Sequence, residues 1–166
     1  MKSKIILRVV LAVAVAAWLG FIWHNSAENG TETVKTSDGV TAIVAKIVVP
    51  SYDEMGEEEK TQVIERISPS VRSFAHAFEF FVLALLAGAF TGTFSFKTTF
   101  AYQALITLGF CVVCAALDEF HQYFVPGRAC DILDVLVDTA GAFVGTGIII
   151  ATLFVGKKRA DSAKKE

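Results

Sequence analysis

The sequence predicts an all-α fold: a four-helix transmembrane bundle with two short amphipathic helices in the first outward-facing loop. Three observations predict it. The 166 residues are 54% hydrophobic and 19% charged, with a mean hydropathy of +0.54, where soluble domains are roughly 45–50% apolar and about 25% charged. Four stretches reach the ~20 mostly apolar residues that a helix needs to cross the hydrocarbon of a bilayer. Lys and Arg gather in segments that four crossings put on one side. The same composition excludes other classes. Three Pro and 12 Gly without a repeat do not make a collagen-like or disordered chain, and three Cys, an odd number, do not make a disulfide scaffold. A sequence pI of 5.9 argues against a basic surface, so no nucleic-acid partner is expected.

The first span covers roughly residues 5–23, interrupted only by Arg8, which lies near one end and can snorkel. Its apolar run is long for a cleaved leader, and no Ala-x-Ala site follows. The others cover roughly 74–90, 98–117 and 132–155, so residues 1–166 read as a single membrane domain with the lipid bilayer as its first partner. Lys2, Lys4 and Arg8 precede the first span, Lys97 sits in the second connection, and Lys157, Lys158, Arg159, Lys164 and Lys165 fill the tail 156–166. Cytoplasmic loops carry such an excess, so both termini are expected inside and the connection 24–70 outside. That connection is acidic, with nine carboxylates from Glu28 to Glu65 against Lys35, Lys46, Lys60 and Arg66.

Two short helices are expected within it. Val40, Ile43, Val44, Ile47 and Val48 recur at helical spacing after Ser37, an N-cap candidate, and Pro50 ends the piece. A second runs from Glu57 to Ile67, with acids in its first turn. Both suit the membrane surface or a cap over the bundle. Asn29-Gly30-Thr31 fits a glycosylation acceptor, a lone and weak signal.

Ionisable residues inside spans are costly, and they usually face the bundle interior and find partners. Arg72, His76 and Glu79 follow i, i+4, i+7 spacing on the second span; Asp131, Asp134 and Asp138 follow i, i+3, i+7 spacing on the fourth. Asp118, Glu119, His121, Gln122 and Arg128 sit at the end of the third span and just after it. Three segments thus deliver polar groups to one depth. Six acids against Arg72 and Arg128 leave four uncompensated negative charges with the histidines neutral. A buried cluster cannot hold that charge in a low dielectric without protons, a cation or a cationic ligand.

The run from Leu117 through Asp118-Glu119-Phe120-His121-Gln122 to Pro126-Gly127-Arg128, followed by Asp131, Asp134, Asp138, Gly141-Ala142 and Gly145, resembles the VanZ-like family of bacterial membrane proteins. Val71–Phe80 is similar to that family's second block, although Ser73 stands where a basic residue is usual and Ala77 and Phe80 replace other aromatics. Trp18 and Ser26 also fit. The resemblance implies a four-helix integral protein of the bacterial cytoplasmic membrane. The family's namesake is associated with resistance to teicoplanin-type glycopeptide antibiotics, and no settled reaction comes with the family. Whether this chain is an enzyme stays open.

Three readings of the cluster stay open too. In one, Arg72 and Arg128 anchor the phosphate of a lipid headgroup or cell-wall precursor, while Gln122, Asp131, Asp134 and Asp138 complete the ligand-binding set. In another, a divalent metal is held by His76, Glu79, His121, Asp134 and Asp138, and the catalytic candidates of a metal-assisted hydrolase or transferase are His76, Glu79, Asp118, Glu119 and His121. In the third, the arginines pair with carboxylates across helices and merely fix the bundle.

The remaining motifs read as architecture. Pro126-Gly127 is a turn, and Gly141-x-x-x-Gly145 is a small-residue packing face. Cys111-x-x-Cys114 has redox spacing but lies mid-helix, where thiols pack as small apolar groups. Cys130 has no second outer cysteine to pair with.

Overall fold

The computed structural model describes residues 2–27, 30–94, 100–126, 128 and 131–163, with the backbone alone described at 30–38 and 160. Asn29, Lys97, Gly127, Cys130, Lys164 and Lys165 lie outside the described residues. Among the described residues five α-helices form: α1 (Lys2–Ser26), α2 (Gly30–Val48), α3 (Glu57–Gly92), α4 (Phe100–Gln122) and α5 (Ile132–Ser162). A single 3-10 turn, Tyr52–Glu54, separates α2 from α3. No strand occurs among the described residues. Four of the helices, α1, α3, α4 and α5, are long and apolar enough to cross a membrane.

The spans alternate in direction. Arg8 of α1 bonds Thr93 just beyond α3 while Asn25 bonds Glu79, so α1 and α3 run antiparallel. Thr91 meets Thr107 and Ser26 meets Asp118, which sets α4 parallel to α1. α5 runs parallel to α3. Their contacts advance together, from Gly141 on Ala77 and Gly145 on Phe81 to Ile149 on Gly88 and Leu153 on Gly92. The small-residue face read from the sequence is thus the α3/α5 seam. A Cβ at Gly141 would run into the Ala77 carbonyl, and one at Gly145 would stand 2.5 Å from the Phe81 carbonyl oxygen. Only glycine lets the two backbones approach so closely. Ala77 stands at the tightest point.

Ile22, Phe80, Leu83, Ala84, Cys111, Cys114, Ala115 and Ala142 form the core, with Trp18 and Leu19 packed against it. Both thiols are free and buried there, as apolar packing requires.

The connection differs in detail from its sequence pattern. α2 starts at Gly30, so Ser37 is interior to the helix and does not cap it. It buries Thr41 and Ala45 and leaves Val40, Ile43, Ile47 and Val48 exposed, so its bulky apolar side chains face away from the protein. The helix expected from Glu57 to Ile67 forms, but it does not stop there. It continues through Pro69 into the span as one 36-residue helix, about 54 Å at 1.5 Å per residue. A proline removes one backbone hydrogen bond and crowds one carbonyl. α2 and α5 both pack along α3, and such tertiary packing favours one continuous helix over a break. At the N-terminus of α3 the Gly56 N–H donates to Glu59 Oε2 at 3.2 Å, and acids fill the first turn.

Candidate functional site

The antiparallel arrangement brings the C-terminal ends of α1 and α4, the middle of α3 and the start of α5 to one end of the bundle. Here the ionisable residues collect. On α3, His76 and Glu79 are half-buried; on α4, Asp118, Glu119 and Gln122 are buried; on α5, Asp138 is buried. Helical periodicity is the local cause: positions 76 and 79, 118 and 122, and 134 and 138 each fall on one face.

The centre is a triad. The imidazole of His76 and the carboxylates of Asp118 and Asp138 offer ligand atoms that all lie within 4.8 Å of one another. His76 Nδ1 stands 4.0 Å from Asp138 Oδ1, and neither atom has a protein hydrogen-bond partner. Asp118 divides its work. Its Oδ2 accepts from the Ser26 hydroxyl at 2.7 Å and from the Gln122 amide at 3.1 Å, while Oδ1 is unpartnered. Asp118 and Asp138 are 1% and 2% exposed, so bulk water does not solvate them.

Around this centre a second ring of contacts holds the helix ends. Asn25 donates to Glu79 Oε1 at 2.8 Å, and the Trp18 indole N–H donates to the Glu79 carbonyl at 2.9 Å. Glu119 Oε1 accepts from the Asp131 backbone N–H at 2.6 Å, joining the end of α4 to the start of α5. The Arg128 N–H donates to the Val125 carbonyl at 3.1 Å across the Pro126 turn, and its guanidinium donates to Gln122 Oε1 at 3.2 Å. Burial, then the nearby Arg72 charge, pushes the Arg128 guanidinium below its usual pKa; Asp118, Glu119 and Asp134 pull it back up. Arg72, Arg128, Asp118, Glu119 and Asp134 therefore share one electrostatic neighbourhood.

Other residues marked in the sequence take different places. Asp131 is exposed and caps α5, its Oδ1 accepting from the Leu133 N–H at 2.8 Å. His121 lies beside Trp23, with ring centroids 6.3 Å apart and nearly parallel planes. Of the five residues expected to ligate a metal, His76 and Asp138 belong to the close group, whereas Glu79, His121 and Asp134 do not; Asp118 completes it. Asn25 and Ser26 went unmarked as site residues, and α1 joins the site through them. Their signal was a pair of neutral polar residues following the apolar run of the first span. An apolar groove of about 410 Å³ lies between α3 and α5 beside the cluster, lined by Phe74, Ala77, Phe78, Phe81, Gly141 and Val144.

Residues 11–155 match the family model described as VanZ/LLP1, a range that holds every residue of this polar end. No curated protein and no solved structure matches the chain.

Proposed function

The chain belongs to the VanZ/LLP1 family, and on that premise we propose that its polar end binds and modulates a phosphate-bearing component of the bacterial cell envelope. The observation that carries this reading is the placement of Arg72 and Arg128 close enough for one charge to act on the other, beside a half-buried, acid-rich cluster. Two guanidiniums repel each other, and an anion between them removes the repulsion. Each presents a fork that matches phosphate oxygens. Asp134 and Glu119 keep the pair from being a bare positive patch and offer acceptors to sugar or amide groups. The groove beside the cluster suits an acyl or polyprenyl chain, which makes a lipid headgroup or a lipid-linked cell-wall precursor the fitting class. By the distribution of Lys and Arg, both termini lie in the cytoplasm and the polar end faces outward.

Altered susceptibility to teicoplanin-type glycopeptides is the cellular readout. Cells carrying the wild-type chain should tolerate more of the antibiotic than cells carrying Arg72→Ala, Arg128→Ala or Asp134→Ala at equal membrane abundance. Equal tolerance in all four strains would overturn the site-based reading and leave the network as bundle architecture. In a Cys130→Ser background, an impermeant thiol reagent applied to intact cells should label Glu54→Cys and spare Lys158→Cys. The reverse pattern overturns the orientation.

A further inference from the structure

We propose that His76, Asp118 and Asp138 form a binding site for one divalent transition-metal cation of the Zn²⁺ or Mn²⁺ class. This site shares the polar end with the anion reading but does not depend on it. The arginines carry that reading; an imidazole and two carboxylates carry this one.

Three helices each contribute one ligand: α3 gives His76, α4 gives Asp118 and α5 gives Asp138. The 4.0 Å between His76 Nδ1 and Asp138 Oδ1 is too long for a hydrogen bond. It fits two atoms bound to one ion, because ligand bonds of roughly 2.0–2.2 Å put such atoms no more than about 4.4 Å apart. All three ligand atoms lie within 4.8 Å of one another, so a shift of at most a few tenths of an ångström brings them into range. Asp118 and Asp138 are almost completely buried, each with an unpartnered Oδ1, and that of Asp138 faces His76. A dry pair of carboxylates is expensive even with the Arg128 charge in the neighbourhood of Asp118, and a dication supplies further positive charge at the pair itself.

The surroundings resemble the support that metal ligands need. Ser26 and Gln122 hold the Asp118 carboxylate through Oδ2 and leave Oδ1 open, as outer partners orient a ligating carboxylate. One nitrogen and two oxygens suit borderline cations better than Ca²⁺, which collects oxygens alone. Three protein ligands leave coordination positions open for water or a phosphate oxygen, the pattern of sites that act on a ligand rather than staple a fold.

The test uses the full chain in detergent, stripped with a chelator and titrated with Mn²⁺ and Zn²⁺ by calorimetry. One equivalent should bind per chain, and pulsed EPR of the Mn²⁺ form should show coupling to a single imidazole nitrogen. Asp138→Asn should weaken binding by more than about 100-fold, and Ser26→Ala, an outer-partner change, by about 10-fold. His76→Gln should abolish the nitrogen coupling. Glu79→Gln and Arg128→Ala should keep the metal, even where Arg128→Ala loses the envelope ligand. If Asp138→Asn does not fold, Ser26→Ala and the nitrogen coupling carry the decision. Folded wild-type protein that binds no equivalent, or binding that survives both Asp138→Asn and Ser26→Ala unchanged, overturns the site.

Discussion

At one end of the bundle the charged side chain within a span has protein partners. Arg8 donates to Thr93 Oγ1 at 3.2 Å and to the Thr93 carbonyl at 2.9 Å, and its guanidinium lies 4.0 Å from the Phe94 ring centroid. At the other end, atoms of His76, Glu79, Asp118, Glu119, His121 and Asp138 are buried without a hydrogen-bond partner in the protein. Elsewhere among the described residues, the only such side-chain atoms are the hydroxyls of Thr41, Ser68 and Thr146. A buried polar group left unmade costs about 1–3 kcal/mol. The chain satisfies its cation at one end and tolerates several open carboxylates and imidazoles at the other. This difference argues that the polar end is maintained for binding, since stability alone would favour closing it.

The largest effect should come from the seam that holds the two ends in one frame. Gly141→Ala places a methyl against the Ala77 carbonyl and should cost about 3 kcal/mol, read as a lower unfolding midpoint in detergent. Gly147→Ala, on the same helix with nothing near its added methyl, should stay within about 0.5 kcal/mol. Equal losses in the two variants would mean that the seam is not where the helices touch.

The two ends themselves separate next. Arg8→Ala should destabilise by about 1–2 kcal/mol, because two hydrogen bonds and a ring contact disappear. Asp138→Asn, measured without metal, should leave the unfolding midpoint unchanged or raise it, because it removes a buried charge that no protein group balances. A loss for Asp138→Asn as large as that for Arg8→Ala would make the polar end another structural network and erase the contrast. The smallest effect belongs to the exposed Lys46–Asp53 pair at 2.9 Å. Asp53 raises the Lys46 pKa by hydrogen bonding and by charge, so the Lys46 contribution is present at neutral pH and is lost as the pH rises through that raised value. Lys46→Ala should not move the midpoint measurably, as is usual for solvated pairs.

Much of this was legible in the sequence, for reasons that differ by element. The spans were readable because a bilayer demands long apolar runs, and the polar end because ionisable residues in spans turn inward at helical spacing. What escaped is what a one-dimensional pattern does not carry. The continuation of α3 through Pro69 depends on helices that pack alongside it. The contribution of α1 rests on Asn25 and Ser26, neutral residues whose value comes from facing Glu79 and Asp118. Asp131 directly precedes an apolar helix, the place of an N-cap, and also stands in a row of acids at helical spacing, so the sequence alone supports both a cap and a ligand there. The partners of His121 and Glu79 followed from the approach of α1, which spacing on their own helices does not encode.

The claim at the centre is that the polar end holds a phosphate-bearing amphiphile. Native mass spectrometry of the protein, extracted gently from a bacterial membrane, measures this directly. Wild-type protein should carry a bound anionic lipid or lipid-linked precursor that is lost from the folded Arg72→Ala/Arg128→Ala double variant. Protein that emerges bare, or a bound species that stays equally abundant on the double variant, would contradict it.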